Sequence, residues 1–350
     1  MGTDFEIIPF DPHTATDELW TLYFDQTEAA YREYEPEDPL LSRAKKKELT
    51  LSSLPNPYRN DYTYLVLAEG GAVPAASASM VVEAPGSPTY ASNKHIGNLH
   101  GLSVSPKYRR QGLATRLVAH ILRDMAIREP QVTELQVPAA LETGHKFLER
   151  KGGTVSLVHS ENRLYLKDAD WAMIERWDAE GARRNPGTEI LTVTEIPETD
   201  LQDYARAYTE TINQQPLGGL QMKMEITPDQ IRYMEKKSAE QGTVHTTIYT
   251  READGRVGGL TETSYLGDLG HVARQMLTGV RQEYRGRGLG KLLKARMLLH
   301  IRREYPGVKY IVTGNADSNA PMMAINTALG FKKHLPVLLY TLKIKPELLK

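Results

Sequence analysis

The chain has 350 residues, a formal net charge of −1, an ordinary hydrophobic content of 40% and no cysteine. Such a charge excludes a global field that would draw nucleic acid or an anionic membrane, and the missing cysteine removes disulfides, thiolate nucleophiles and mixed cysteine metal sites. The length points to two domains. With no bilayer-length apolar run and no signal-peptide pattern at the N-terminus, a cytoplasmic protein without membrane attachment is expected.

In chain order, Asp4–Pro9 reads as a strand and Thr14–Tyr34 as a helix. Lys45-Lys46-Lys47, followed by Glu48, reads as a solvated helix face rather than a nucleic-acid patch. Tyr62–Ala68 and Ala75–Val82 read as paired strands joined at Glu69-Gly70-Gly71. His95–Val104 is a strand that enters a loop. Beyond it, Leu113, Leu117, Ile121, Leu122 and Met125 recur at helical spacing. Val132–Val137 reads as a strand, Glu142–Lys151 as a helix and Val155–Leu166 as closing strands. Trp171, Ile174 and Trp177 at helical spacing make 170–184 a connecting helix, stopped at Asn185-Pro186-Gly187, with the tryptophans as packing residues. The order then repeats. Glu189–Thr194 is a strand, and Asp200–Asn213 and Pro228–Glu240 are helices, the latter with Thr227 as N-cap. Thr243–Thr250 and Arg256–Tyr265 are strands around the turn Ala253-Asp254-Gly255. Val272–Val280 enters a second loop before the helix Leu289–Glu304. Val308–Thr313 is a strand, Pro321–Leu329 a helix and Val337–Ile344 a last strand. Residues 1–168 thus form a first domain, 169–187 a helical connector and 188–350 a second domain.

The two loops carry one pattern, 176 residues apart. The first runs from Val104 through Tyr108, Arg109, Arg110, Gln111, Gly112 and Leu113 to Ala114. The second runs from Val280 through Tyr284, Arg285, Gly286, Arg287, Gly288 and Leu289 to Gly290, with Lys291 next. A strand, a small-residue loop and a helix start make a cradle for phosphate: backbone N–H groups converge, no Cβ blocks their approach, and the helix dipole favours an anion. The dinucleotide fingerprint G-x-G-x-x-G fails on Gly286-Arg287-Gly288-Leu289-Gly290. The ATP loop fails because Arg285 stands at its first glycine and Leu292 at its Ser/Thr position. No H-E-x-x-H occurs and no metal site is expected.

On these motifs the chain resembles the GCN5-related N-acetyltransferases (GNAT), as a tandem member. Arg109-Arg-Gln-Gly112-Leu-Ala114 and Arg285-Gly-Arg-Gly288-Leu-Gly290 both fit that family's [Q/R]-x-x-G-x-[G/A] loop. A further family motif, N-x-x-A-x-x-x-Y-x-x-x-G-F, is matched in spacing from Asn319 to Gly330-Phe331, with Asn326 at the tyrosine position. The first half has Leu141, Leu148 and Gly152-Gly153 at the corresponding places. The resemblance implies an α/β fold of two tandem GNAT-like domains, each a mixed, mostly antiparallel twisted sheet flanked by helices. It implies acetyl-CoA as cosubstrate, held by the two loops, by Leu102 and Val104, by Leu277, Thr278, Gly279 and Val280 at the end of the fourth strand, and by Asn319. Gly279 would allow the close approach of the ligand.

The activity implied is direct acetyl transfer to a primary amine of a small-molecule or peptide acceptor, with the second domain catalytic and the first degenerate, either binding CoA without turnover or only building part of the acceptor site. Glu262 is the candidate base, with Asp268, Gln275 and His271 behind it. Asn326 is the candidate at the CoA sulfur, and Tyr265 and Tyr340 are candidate acids. A non-catalytic acyl-CoA sensor is the alternative. Gln214–Leu220 is read as an acceptor loop, and the chain as a monomer or homodimer.

Overall fold

The computed structural model describes residues 5–216, 218–220 and 224–349. Asp4, at the head of the first expected strand, and Leu217, in the expected acceptor loop, lie outside the described residues. The chain divides into two compact units.

The first unit runs to Leu157 and resumes at Leu338. Its elements are β1 (Phe5–Phe10), α1 (Asp17–Arg32), α2 (Arg43–Ser52), β2 (Arg59–Ala68), β3 (Val73–Glu83), α3 (Tyr90–Asn93), β4 (Ile96–Val104), α4 (Leu113–Arg128), β5 (Glu134–Ala139), α5 (Glu142–Arg150) and the start of β6 (Thr154–Tyr165). Thr16 caps α1 by accepting from the Leu19 amide, and Asp17 and Glu18 complement the dipole in its first turn. The three lysines lie on α2, where Lys46 pairs with Glu28 and Lys47 with Asp17. The apolar face of α4 packs Leu113, Leu117, Ile121, Leu122 and Met125 onto β2–β5.

The second unit spans Val158–Val337. It holds the rest of β6, then α6 (Trp171–Arg184), β7 (Glu189–Val193), α7 (Glu198–Asn213), α8 (Pro228–Glu240), β8 (Thr243–Arg251), β9 (Val257–Leu266), β10 (Val272–Val280), α9 (Leu289–Glu304), β11 (Tyr310–Ala316), α10 (Ala320–Leu329) and the start of β12 (Lys332–Lys343). Thr227 and Gln230 form a reciprocal capping box on α8. Neighbouring strands in each unit are antiparallel except β4–β5 and β10–β11, which are parallel. In both cases the crossover is the helix that follows the loop.

The domain limits expected from sequence do not hold. Leu338–Lys343, from the far end of the chain, pairs antiparallel with β5 and completes the first unit in the order β1-β2-β3-β4-β5-β12. His159–Tyr165, expected in the first domain, pairs antiparallel with β11 and completes the second in the order β6-β11-β10-β9-β8-β7. The two halves have exchanged their last strands. Both strands hold the same place in the repeat, and β5 and β11 each need an antiparallel partner for their edge groups, so either strand can serve either copy. The supposed connector is an integral helix of the second unit. A Cβ on Gly181 of α6 would lie 2.7 Å from Leu292 Cβ on α9, and Trp171 and Trp177 pack on the same core.

One residue breaks the pattern of α9. Among Leu289, Leu292, Leu293, Met297, Leu298 and Ile301, all buried, stands Lys294, only 1% exposed. Its Nζ sits 5.5 Å from the centre of the Phe331 ring. Val118 occupies the equivalent place in α4. Burial pushes the ammonium down to about 7 from 10.5. Unfolded chains bind this proton up to the higher value, so between those limits stability rises with pH, and below the lower one the full cost is present. Lys294→Met is therefore expected to stabilise the protein by about 2–5 kcal/mol at neutral pH and below. Thermal unfolding across the range should show the gain shrinking as pH rises toward about 10.

Candidate functional site

The site begins where β4 parts from β5 and β10 from β11. Only three residue pairs join each parallel ladder: Ile96–Asn98 with Glu134–Gln136, and Val272–Arg274 with Tyr310–Val312. Beyond Asn98 and Arg274 the strands diverge, while β4 and β10 stay paired on their other side to β3 and β9 through a bulge. The diverging edge ends in a one-turn helix and then the loop.

The two loops share one backbone course. Ser105 and Arg281 donate their amides to Ala75 O and Gly258 O, each at 2.9 Å. The residue after each first arginine has positive φ, 64° at Arg110 and 79° at Gly286, and Gly112 and Gly288 follow at 77° and 84°. The strain of that conformation falls on a non-glycine residue only in the first copy. Among the described residues, the amides of 110–115 and of 286–291 donate to no other group of the chain. Each helix start thus presents six free N–H groups together with its dipole, and a Cβ at Gly286 or Gly288 would meet nothing within 4 Å. That geometry fits a pyrophosphate.

The arginines are placed differently from the expectation. Arg109 and Arg285 spend their amides on Pro106 O and Gln282 O, both at 3.3 Å. Their Nε atoms reach back to Val104 O at 2.9 Å and Val280 O at 3.2 Å. Their outer nitrogens hold the residue that closes the unit's first long helix: Glu33 at 2.6 Å for Arg109, and Gln214 for Arg285. They staple the loop in place. Arg287 turns away as well, donating to Asn185 at 2.8 Å and Thr188 at 2.7 Å and pairing with the buried Glu252 at 2.8 Å. Lys291 lies over the Trp177 ring. What these residues offer a ligand is backbone, in which Leu113, Ala114, Leu289 and Gly290 share. Leu102 packs against the core of the first unit and Leu277 is buried in that of the second. Thr278 is bonded to Thr261 at 2.7 Å.

Gly279 serves a neighbour within the chain, not a ligand as expected: a Cβ there would lie 2.4 Å from Thr211 Cβ on α7. Asn319 caps α10 by accepting from the Met322 amide at 3.4 Å. Asn326 is buried, with Nδ2 donating to Asn315 at 2.6 Å and Oδ1 unpartnered among the described residues. It therefore presents an acceptor. Tyr340 belongs to the first unit, with its hydroxyl near Glu149 and His145. Tyr265 stacks on Tyr305 at 4.1 Å.

Glu262, on β9, is 4% exposed. Its Oε1 accepts from Tyr204 on α7 at 2.7 Å and lies 3.4 Å from His245 Nε2 on β8. Tyr208 faces the same carboxylate. Burial first, and the carboxylate second, push both phenols well above their ordinary value. These three partners escaped the sequence reading. The available signal was the alternation of His245, Thr247 and Tyr249 along one face of β8, but their meeting with α7 is not local. The first unit has no such group. Val104 pairs with Ala76 and Val280 with Gly259, so Ser79 stands where Glu262 does, bonded to Thr63 at 2.9 Å.

The model of the acetyltransferase (GNAT) family matches residues 17–152. Among solved structures, the chain is similar along 98% of its length to a tandem GNAT protein from the clavulanic acid biosynthesis pathway, covering 99% of that chain at 21% identity with a TM-score of 0.74. The fold is the tandem GNAT fold. A GCN5-related N-acetyltransferase from Sphaerobacter thermophilus is similar over 98% of this chain and 96% of its own, at 18% identity and a TM-score of 0.63. No curated protein matches the sequence. As a family, GNAT proteins transfer acyl groups from acyl-CoA to amines. The matched stretch lies in the first GNAT unit, the one whose second motif is eroded. No helix among the described residues is long and apolar enough to cross a membrane.

Arg287 yields a test of how the second loop is held. Glu252 is only 6% exposed, and its Oε2 depends on Arg287 and Thr188. Arg287→Gln should destabilise the protein by about 1–3 kcal/mol, and adding Glu252→Gln should recover much of that loss. Chemical denaturation of the single and double variants measures both.

Proposed function

We propose that the protein is an acetyl-CoA-dependent N-acyltransferase that passes an acetyl group directly to a primary amine, with the chemistry in the second unit. The observation that carries this reading is the buried carboxylate of Glu262 on the strand beside the parted β10, in the one unit that has it. Bound acetyl-CoA supplies the activated thioester. The amides of 286–291 bind its pyrophosphate, and the open edge of β10 offers N–H groups along the arm that leads to the thioester. Glu262 lowers the cost of positive charge as the amine gives up its proton. Asn326 presents Oδ1 toward a hydrogen donor of the ligand and holds its own orientation through Asn315. With no cysteine in the chain, transfer proceeds without a thioester-linked enzyme intermediate. The first cradle has the same free amides and binds CoA, while Ser79 leaves it without the buried carboxylate.

A panel of primary amines with acetyl-CoA, read by thiol release, tests this. Release that depends on the amine is expected, and its absence with every amine would favour a CoA sensor. Gly288→Asp, which sets a carboxylate in the second cradle, should abolish release. Gly112→Asp should remove one of two acetyl-CoA sites in a calorimetric titration and leave release in place.

A further inference from the structure

Glu262 is a poor direct partner for an amine. It is almost wholly shut from solvent, and its Oε1 already takes the Tyr204 hydroxyl. The two phenols around it stay protonated through the neutral range and take up no net proton. His245 differs. Its Nε2 faces Glu262 at 3.4 Å, while 25% of its side chain remains exposed. Among the described residues that face Glu262, it combines ion-pair distance to the carboxylate with access from outside.

We propose that His245 is the proton acceptor of the second unit and that Glu262 acts on it as a positioning residue. The inference rests on the acyl-transfer reading above and assigns the proton path within it. With the ring proton on Nε2, the nitrogen that lies nearer Glu262, Nδ1 keeps its lone pair. The acceptor ammonium gives a proton to Nδ1, directly or through one water. Its nitrogen then forms a bond to the thioester carbonyl carbon, the carbon–sulfur bond breaks, and CoA leaves as the thiolate. The amide nitrogen sheds two protons in all, one ending on the CoA sulfur and the other in solvent.

The groups facing His245 agree with this role. Glu262 approaches from β9 and Glu235 from α8, the latter already paired with Arg232 at 2.7 Å, and Tyr204 and Tyr208 face the same carboxylate from α7. Burial pulls the imidazole pKa down, but the nearby Glu262 carboxylate, helped by Glu235, outweighs it and leaves the value above the usual 6.5. The charged imidazolium is thus the form that Glu262 stabilises.

Two readouts test the assignment on the full chain. In the first, kcat/KM with an amine found in the thiol-release panel should rise with pH through the His245 titration. His245→Gln should cost at least tenfold and erase that limb, and Glu262→Gln should keep the limb but move it to lower pH. The second needs no turnover: the His245 ring proton, followed by NMR, should titrate at lower pH in Glu262→Gln than in the unaltered protein. An intact limb in His245→Gln, or an unmoved NMR titration in Glu262→Gln, overturns the inference while leaving acyl transfer standing. If no amine releases thiol, the acyl-transfer reading itself fails and this assignment falls with it.

Discussion

The parting of a parallel strand pair after three residues is the constraint on which the rest of each unit depends. Backbone N–H and C=O groups that lose a ladder partner must find another or face a ligand. Beyond Asn98 and Arg274 the chain meets this requirement in one direction only, through the bulged pairing with β3 and β9. The loop and the first turn of the helix that follows add six more free amides. Because β4 and α4, or β10 and α9, are each anchored in a core, the open groups cannot close on one another. The arginine staples hold the short link between them, from the strand's last carbonyl to the end of the first long helix.

Duplication preserved this backbone and let the chemistry drift. Equivalent atoms make equivalent bonds around both loops, yet Arg110 sits where Gly286 does, Ser79 where Glu262 does and Val118 where Lys294 does. The first copy keeps the shape that recognises a phosphate and is the part that the family model matches. The second carries the buried ionisable groups Glu262 and Lys294. Likeness to a family and equipment for a reaction are separate properties here, since the first measures the loop and helices and the second depends on a few side chains of β8, β9 and α7.

What could be read from the sequence was what is local. The repeated loop, the helical faces of α4 and α9 and the cap of α8 follow from residues within a few positions of one another, and they predict the fold class and both cradles. The arginines misled, because a positive side chain beside a phosphate cradle looks like a ligand contact, while Arg285 and Arg287 are held by Gln214, Asn185, Thr188 and Glu252, far off in sequence. Gly279 misled for the same reason, its neighbour being Thr211. Glu262 was legible as a carboxylate on the right strand, but its bond from Tyr204 depends on how α7 lies over the sheet and its nearness to His245 on the register of β8 with β9. The exchange of last strands was beyond reach, since β6 and β12 are alike enough for either edge.

That exchange bears on how the protein is made. The edge of β5 closes with residues that the ribosome adds long after β5 itself; Glu134 and its partner Lys343 are 209 positions apart. A nascent first unit therefore has its loop and α4 in place while one flank of its sheet is still bare. The second unit, supplied with β6 in advance, can complete its own sheet as soon as β11 emerges. Maturation runs against the order of translation, and the unit begun first is the one finished last.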